Sequence, residues 1–460
     1  MFSTLTYHLC TFGCQMNKHD SERIAGMLDA LGALPVNETT DADIVVYMTC
    51  CVREAADTRL FGQVASIKNL PSSDGSAKQR IIAIGGCIGQ RDGEKLVEKF
   101  PHIDVVFGTH NIARFPDLLA AALEGRGAQI EVYTDADRAA GRHEVQATSL
   151  PSHREQQWHA WLPIMTGCNN FCSYCVVPYV RGREKSRALD DIISEAEALK
   201  KDGVREITLL GQNVNSYGRD LCGTSQFAAV LHAVAKTGIE RIRFATSHPK
   251  DLSDETIAAF AEIPACMPAL HLPVQSGSDA VLKLMNRHYT AEHYLELIEK
   301  VRAACKASGK GEVAFSTDII VGFPGETERD FEATMDLVNA VGFTQAFTFI
   351  YSRREGTPAA SMEDTIPREV IQQRFDRLVN LVQQSAFDRN KAELNTVREV
   401  LFEGASKRDA SMLSGRSPKN QTVHVPLPEG ARSDDFAGRI IPVHITETRT
   451  WYLRGEFAYG

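Results

Sequence analysis

Six short apolar segments alternate with helical stretches between residues 158 and 351. The predicted strands cover residues 161–165, 206–210, 242–246, 269–275, 313–321 and 345–351. The predicted helices cover residues 189–201, 227–236, 254–261, 291–307 and 329–340. Short apolar runs favour buried strands, and longer stretches with helical spacing of apolar residues favour amphipathic helices. We therefore predict an α/β protein whose centre is a partial (βα)6 barrel with parallel strands.

A compact cysteine motif follows the first strand of this barrel. Cys168, Cys172 and Cys175 are separated by three and then two residues. Four cysteines usually hold a [4Fe–4S] cluster, so three would leave one iron open. S-adenosylmethionine can chelate an open iron through its amino and carboxylate groups, and an electron passed to it breaks a C–S bond to give a carbon radical. The spacing resembles that of the radical S-adenosylmethionine superfamily.

Two other uses of these cysteines fit the sequence less well. A zinc site needs a fourth Cys or His, and His153, His159 and Cys222 lie at no zinc-like spacing. A disulfide framework is disfavoured because the 11 cysteines are an odd number and we expect no signal peptide. We therefore expect reduced thiols and a cytoplasmic location.

Three further cysteines each lie between an apolar run and a helical stretch: Cys14, Cys50 and Cys87. Ligands gather beyond the carboxyl ends of strands in an open parallel sheet. We therefore predict an N-terminal parallel α/β domain in which these thiols point at one place. Any one of them could instead be a small buried residue, because free Cys is often buried. Either Cys50 or Cys51 could be the ligand, and we favour Cys50 because it comes directly off the strand.

Polar or glycine-rich segments end the other barrel strands, where βα-barrel enzymes have their active sites. These segments cover residues 211–215, 246–249, 275–278 and 322–326. Each alone is more typical of a turn, but together they predict a pocket for a polar ligand. Arg181 and Arg183 follow the cysteine motif and could bind a cofactor carboxylate or an RNA phosphate, or could be surface charges.

The overall charge limits how the chain could bind nucleic acid. A net charge of −9 argues against an indiscriminate polyanion binder, so such contacts must come from local basic patches. Hydrophobic residues make up 43% of the chain and charged residues 24%, which is typical of globular proteins. No apolar stretch is long enough to span a bilayer, so we expect no membrane partner.

The C-terminal region has the pattern of a small β-barrel. After a predicted helix at 368–391, short β-like runs at 397–403, 421–425, 438–445 and 451–455 are separated by Gly, Pro and Asp. Basic residues are scattered among them, with aromatic rings nearby: Lys407, Arg408, Arg416, Lys419, Arg432, Arg439, Arg449 and Arg454, with His424, Trp451 and Tyr452. This combination suits RNA, because charges hold phosphates and rings stack on bases. A solvated barrel surface is the alternative.

Six further motifs are distributed over nearly the whole chain: TFGCQMN (11–17), LGQNVNSYG (210–218), FATSHP (244–249), LPVQSGS (272–278), STDIIVGFPGE (316–326) and TWYLRGE (450–456). They resemble the methylthiotransferase family, in particular its tRNA-modifying branch. With the changes of pattern along the chain, this resemblance implies four regions. They are an N-terminal methylthiotransferase domain (1–133), a linker (134–157), a radical S-adenosylmethionine barrel (158–392) and a TRAM-like RNA-binding β-barrel (393–460).

The resemblance also implies a reaction, in which a methylthio group replaces the hydrogen on C2 of N6-dimethylallyladenosine at position 37 of tRNA. Two [4Fe–4S] clusters and S-adenosylmethionine would be the cofactors. Cys168, Cys172 and Cys175 would hold the cluster that generates a 5′-deoxyadenosyl radical. Cys14, Cys50 and Cys87 would hold an auxiliary cluster that carries the sulfur. Tyr174 matches the aromatic residue that family members place near the adenine of S-adenosylmethionine. Further candidates for the cofactor pocket lie at strand ends: Gln275, Ser276, Asp318 and Val321.

The implied partners are the anticodon stem-loop of tRNA, an electron donor such as flavodoxin or ferredoxin, and iron–sulfur assembly proteins. Alternative substrates are threonylcarbamoyladenosine in tRNA and an aspartate of a ribosomal protein. The wording of residues 211–217 disfavours the first, and Gln-Ser-Gly at 275–277 disfavours the second. A different alternative is an electron carrier or RNA-binding scaffold that has iron–sulfur centres but no turnover.

Overall fold

The computed structural model describes residues 5–51, 54–71, 75, 79–133 and 150–458. The chain forms two compact units. The first comprises residues 1–155, 166–169 and 175–184, and the second comprises residues 156–165, 170–174 and 185–460. Most of the predicted linker at 134–157 lies outside the described residues. In the part of the chain that is described, no helix is long and apolar enough to cross a membrane.

The first unit contains a six-stranded parallel sheet with strand order β2-β1-β3-β4-β5-β6. Its strands are β1 (Thr6–Thr11), β2 (Leu34–Pro35), β3 (Ile44–Thr49), β4 (Ile81–Gly86), β5 (Val105–Phe107) and β6 (Gln129–Glu131). Its helices are α1 (Gln15–Ala30), α2 (Glu54–Ile67), α3 (Cys87–Asp92), α4 (Glu94–Lys99), α5 (Phe115–Leu123) and α6 (Val177–Arg181). The parallel α/β domain predicted from the sequence is confirmed.

Alternation along the central strand explains why both faces of this sheet are covered. All six residues of β3 are buried. Val45 and Tyr47 enter one apolar cluster, whereas Ile44 and Val46 enter the other, because successive strand side chains point to opposite faces. Val180 of α6 packs in the first of these clusters. The segment after the cysteine motif is therefore part of the core of the first unit.

The second unit contains the six barrel strands in two parallel three-stranded sheets, ordered β11-β10-β7 and β12-β13-β14. The strands are β7 (His159–Pro163), β10 (Glu206–Leu210), β11 (Arg241–Phe244), β12 (Ala269–His271), β13 (Ala314–Val321) and β14 (Gln345–Ile350). The helices are α7 (Leu189–Lys201), α8 (Arg219–Cys222), α9 (Phe227–Lys236), α10 (Asp254–Glu262), α11 (Asp279–Leu284), α12 (Ala291–Ala307), α13 (Glu328–Val341) and α14 (Arg368–Lys391). Two short strands, β8 (Met165–Thr166) and β9 (Lys185–Ser186), flank the cysteine motif in the sequence. The predicted six-strand barrel is confirmed.

One barrel strand is shorter than the sequence predicts. We expected β12 to run to residue 275, but it ends at His271. Pro273 has no N–H to donate to a neighbouring strand, and Gln275 has a φ of +70°, outside the β region. Gln275 keeps only an isolated bridge to Ile319.

The C-terminal part of the second unit is a closed barrel of five strands, ordered β15-β16-β17-β19-β18. The strands are β15 (Val397–Ala405), β16 (Met412–Arg416), β17 (Thr422–Pro426), β18 (Ile440–Thr448) and β19 (Tyr452–Phe457). The predicted small β-barrel is confirmed, but no sequence pattern predicted β16. In that strand only Leu413 enters the apolar core, so no alternating pattern marks it.

Candidate functional site

The N-terminal thiols lie at one edge of the six-stranded sheet. Cys14 follows β1, Cys50 follows β3, and Cys87 is the first residue of α3, directly after β4. Because β1, β3 and β4 are parallel neighbours, their carboxyl ends bring all three cysteines to the same edge. Cys14 is exposed, whereas Cys50 and Cys87 are buried. We call these three residues the N-terminal trio.

Cys14 and Cys50 interact directly. A hydrogen bond from Cys50, with help from the charge of Arg181, lowers the pKa of Cys14 to about 6. Gly13 permits the close approach, because its φ is +98° and a Cβ there would lie 2.1 Å from the Cβ of Cys50. A side chain at position 13 would therefore force the two cysteines apart.

Cys51 is hydrogen-bonded to Cys87. This bond lowers the pKa of Cys87 to about 7 and, with burial, raises the pKa of Cys51 well above its usual range. Cys51 is fully buried in the apolar cluster that contains Phe12 and Val45. The thiolate is the form that binds metal. Burial in this apolar cluster favours a packing role for Cys51, and Cys50 remains the predicted third ligand.

Arg181 of α6 is buried beside the N-terminal trio, with 5% of its surface exposed. Its Nη2 donates to Asn17 Oδ1 at 3.1 Å and to Asp20 Oδ2 at 3.2 Å. The positive charge of Arg181 also lowers the pKa of Cys87 and of Cys14. The alternative that this arginine is a surface charge is therefore wrong, whereas Arg183 is exposed.

Cys168, Cys172 and Cys175, the loop trio, lie between β8 and α6. Cys172 is buried, and the other two are half-buried. The N–H of Cys168 donates to the carbonyl of Gly182 at 3.0 Å. Gly167 has a φ of +77°, and a Cβ there would lie 2.0 Å from a backbone carbonyl oxygen. Only glycine fits at the entry to this loop.

The middle of the loop is held by the segment that follows α11. The Ser173 N–H donates to the Met285 carbonyl at 3.0 Å, and its hydroxyl donates to the Leu284 carbonyl at 2.7 Å. Asn286 Nδ2 donates to the carbonyl of Phe171 at 2.9 Å. Phe171 has a φ of +47°, which is uncommon for a residue with a side chain. These bonds hold the strained backbone around Cys172 in place.

Arg287 lies at the loop trio although no sequence pattern predicts it there. It is 4% exposed, and its Nη1 lies 3.5 Å from both Cys172 Sγ and the Tyr174 hydroxyl. Its other nitrogens donate to the Pro273 carbonyl at 2.8 Å and to the Tyr289 hydroxyl at 3.0 Å. Across the described residues, no carboxylate forms an ion pair with it. Arg287 therefore brings an uncompensated positive charge to Cys172.

The predicted cofactor-pocket residues differ in how accessible they are. Tyr174 contacts Arg287 through its hydroxyl, and Asp318 is half-buried with a carboxylate oxygen 3.7 Å from His271 Nε2. Gln275 is 7% exposed and pairs through its backbone with Asp318 and Ile320. The remaining two, Ser276 and Val321, are fully buried. Any contact of Ser276 or Val321 with a ligand would have to use the backbone.

Several polar atoms at the ends of β10 and β11 are buried without a hydrogen-bond partner among the described residues. They are Gln212 Oε1, Asn213 Oδ1, Asn215 Oδ1 and Nδ2, Ser247 Oγ and His248 Nε2. Buried polar atoms normally have a partner. Burial, with the charges of Arg287 and Lys250, lowers the pKa of His248 well below its usual range, so its ring is neutral. This cluster is suited to a polar ligand at the predicted mouth of the barrel.

The C-terminal barrel presents some of its predicted RNA-binding residues and uses others internally. Trp451 is 52% exposed, and Arg454 lies over the Tyr452 ring, 5.7 Å from its centroid. Lys419, by contrast, is largely buried and pairs with Glu393 at 2.8 Å. Trp451 and Tyr452 therefore provide a surface for base stacking, whereas Lys419 stabilises the fold.

The donor chemistry of both trios fits iron–sulfur clusters. Thiolates are the usual ligands of such clusters, and each thiolate binds a different iron. Among the described residues, no group of three His, Cys, Asp or Glu side chains lies close enough to hold one metal ion. At both trios a glycine occupies a position where a Cβ would collide with neighbouring atoms. The residues present are therefore compatible with two three-cysteine cluster sites.

Comparisons with known proteins agree with this organisation. Models of three families match the chain: the radical SAM superfamily at residues 162–338, the uncharacterized protein family UPF0004 at residues 6–108, and the TRAM domain at residues 391–458. A solved radical S-adenosylmethionine methyltransferase, TsrM from Kitasatospora setae, has a TM-score of 0.54 and 14% identity. The match covers 77% of this chain and 74% of that one, and it shows similarity of fold alone. Fold and site thus define a radical S-adenosylmethionine enzyme with a C-terminal TRAM domain.

Full-length relatives narrow the class further. Proteins named tRNA-2-methylthio-N(6)-dimethylallyladenosine synthase from Streptomyces avermitilis and Carboxydothermus hydrogenoformans are 46% and 44% identical to this chain. Each match covers 98% of this chain, with 86% of the first relative and 98% of the second. The chain belongs to the family of tRNA-2-methylthio-N(6)-dimethylallyladenosine synthases.

Proposed function

We propose that this protein replaces the hydrogen on C2 of N6-dimethylallyladenosine, at position 37 of tRNA, with a methylthio group. The observation that carries the proposal is that two sets of three cysteines, one after strands β1, β3 and β4 and one after β8, occur in a chain that is 46% identical to a synthase of this modification over 98% of its length. The C2–H bond is neither acidic nor nucleophilic. A radical can break it, whereas an acid or a base held by a side chain cannot.

Each trio would hold one [4Fe–4S] cluster in this proposal. When bound, the loop-trio cluster supplies the electron that cleaves S-adenosylmethionine, and the N-terminal cluster supplies a binding point for sulfur. Cys168, Cys172 and Cys175 would be the ligands of the first, and Cys14, Cys50 and Cys87 the ligands of the second. Three ligands each leave one coordination position open at either site.

The chain's own residues would orient the cofactor and the base. The unpartnered polar atoms of residues 212–215 and 247–248 support S-adenosylmethionine binding at the barrel mouth, because its amino and carboxylate groups could satisfy them. Tyr174, Gln275 and Asp318 are proposed to line the same pocket, and Ser276 and Val321 to contribute backbone atoms. The neutral ring of His248 could accept a hydrogen bond from a cationic ligand group.

The C-terminal barrel is proposed to bind the tRNA. Exposed Trp451 and the stacked pair of Arg454 and Tyr452 support contact with unpaired bases and phosphates. We assign residues 1–133 to the auxiliary-cluster domain, 158–392 to the radical barrel and 393–460 to the tRNA-binding barrel. A low-potential donor such as flavodoxin or ferredoxin, iron–sulfur assembly proteins and a cytoplasmic location complete the proposal.

Anaerobic turnover with a defined substrate tests the function. Reconstituted protein is incubated with S-adenosylmethionine, dithionite, sulfide and tRNA that carries N6-dimethylallyladenosine, and the tRNA nucleosides are analysed by mass spectrometry. We expect the 2-methylthio nucleoside together with 5′-deoxyadenosine and S-adenosylhomocysteine. Reaction only with threonylcarbamoyl-modified tRNA, or only with a ribosomal protein, would overturn the substrate assignment. Formation of neither small product would indicate a scaffold without turnover.

A further inference from the structure

A buried ion pair lies next to the N-terminal trio. The side chains of Arg181 and Asp20 are 6% and 4% exposed, and Arg181 Nη2 lies 3.2 Å from Asp20 Oδ2. On the far side, His19 Nδ1 lies 3.2 Å from Asp20 Oδ1, and Arg23 Nε donates to His19 Nε2 at 3.3 Å. Charged groups are rarely buried unless they serve as partners to one another or to a ligand.

A contribution to the stability of the fold does not by itself explain why this ion pair is buried. A buried ion pair often stabilises a fold no better than well-packed apolar residues would, because both charges lose their hydration. Arg181 also acts beyond the carboxylate, since it donates to Asn17, three residues after Cys14, and its charge acts on both Cys14 and Cys87. Its location is therefore better explained by the thiols than by Asp20 alone.

The negative charge of a bound cluster would give Arg181 an electrostatic role. Three thiolates outweigh the charge of the oxidised cubane core, so the assembly is an anion and becomes more negative on reduction. Net charge and hydrogen bonds to sulfur are among the factors that set the reduction potential of such clusters. A guanidinium beside two of the three ligands favours the reduced form, and a carboxylate paired with that guanidinium offsets part of its effect.

We propose that Arg181 is a positioning residue of the N-terminal trio, which holds the thiolates of Cys14 and Cys87 by its charge, and that Asp20 limits the positive charge delivered there. This inference rests on the proposed function, because it assumes that the trio holds a cluster. It gives Arg181 a role apart from a cofactor carboxylate or an RNA phosphate. The inference also explains why an arginine only six residues after Cys175 belongs to the core of the first unit.

The test uses protein in which only the N-terminal cluster can assemble. In a full-length background with Cys168, Cys172 and Cys175 replaced by Ala, R181M, R181K, D20N and the double variant R181M/D20N are reconstituted anaerobically. The reduced fraction of the cluster is measured by electron paramagnetic resonance during a redox titration. Arg126→Met is the matched control, because Arg126 is an exposed arginine of the same unit that pairs with Glu124.

We expect a fixed pattern of shifts in the ratio of reduced to oxidised cluster at a given potential. R181M should lower this ratio on the order of tenfold, and D20N should raise it, because each removes one charge of opposite sign. The double variant should lie between these two, R181K should restore most of the ratio, and the control should match the parent protein.

Several outcomes separate this inference from the proposed function. If the parent background binds no iron–sulfur cluster, the proposed function fails. If the cluster assembles and neither R181M nor D20N moves the potential, only the present inference fails. If R181M does not fold, D20N and R181K still test the inference, because D20N preserves the shape of the side chain and R181K preserves the charge. A loss of iron in R181M and R181K alike, with unchanged potential in D20N, would indicate a purely structural arginine.

Discussion

The two three-cysteine sites are built in different ways. The N-terminal trio comes from the ends of three strands, with ligands some thirty-five residues apart that meet only because β1, β3 and β4 are neighbours. The loop trio lies within eight consecutive residues. A sheet edge fixes its ligands through the whole fold of the unit, whereas a loop depends on a few contacts such as those of Phe171 and Ser173. The N-terminal trio should therefore lose its arrangement only when the first unit unfolds, whereas the loop trio should be disrupted by changes in its own loop.

Loss of one trio gives the largest expected difference. Replacing Cys168, Cys172 and Cys175 with Ala should abolish 5′-deoxyadenosine formation, because no cluster remains to reduce S-adenosylmethionine. Replacing the N-terminal trio should abolish the methylthio product but leave 5′-deoxyadenosine formation. Iron analysis should give about eight irons in the intact protein and about four in either variant, from two cubes of four. Four irons in the intact protein would contradict the prediction of two cluster sites.

The second-largest expected difference, in iron content and product formation, is between single substitutions at Cys50 and at Cys51. We expect C50A to lose about half of the iron and all product formation. C51A should keep both, because Cys51 packs inside an apolar cluster. The two variants serve as each other's control, since both replace neighbouring buried thiols. The reverse result would make Cys51 the ligand.

Alanine at the glycine beside each trio should lower the free energy of unfolding. G13A and G167A each place a Cβ about 2 Å from a neighbouring atom at a positive φ, which should cost about 1–3 kcal/mol. Chemical denaturation and iron content would measure this. Gly125→Ala is the control, because Gly125 also has a positive φ but has open space around it. Iron loss confined to the matching site in both variants would support two independent sites. Equal losses at both sites would show that the two sites depend on each other.

Arg287 offers the smallest effect and the sharpest contrast with Arg181. In protein that lacks the N-terminal trio, R287M should make the loop-trio cluster harder to reduce by about 1–2 kcal/mol, because no carboxylate among the described residues offsets this arginine. That corresponds to tens of millivolts for a one-electron couple. R287K should retain most of the parent potential. A redox titration that finds no shift would mean that the charge of Arg287 does not reach the cluster.

Much of the fold was predictable because it depends on local periodicity. The strand at 206–210 and the helices at 189–201, 227–236, 291–307 and 368–391 match the sequence predictions at both ends. The candidate cluster ligands were also predicted from the sequence, the N-terminal trio because each cysteine follows an apolar run and the loop trio because of its spacing. Local patterns are strongest where a long element buries one face.

Contacts between distant residues were not predictable. Arg287 lies 115 residues from Cys172, and Arg181 lies 161 residues from Asp20. Arg287 follows a short helix instead of a strand end, so no sequence signal pointed to it. Ser276 and Val321 were predicted to line the pocket from strand-end positions, but strand pairing and packing bury their side chains. Side-chain direction at a strand end depends on register, which the sequence pattern leaves open.

The core of the first unit is discontinuous in sequence, and this affects how it can form during translation. Val180 and Arg181 contribute to an apolar cluster and a charge network whose other members, apart from Ile130 and Val176, lie before residue 110. A nascent chain that ends at residue 133 therefore lacks part of its own interior. The ribosome must release the loop trio before the N-terminal trio can reach its final surroundings, so iron delivered earlier would meet an unfinished site.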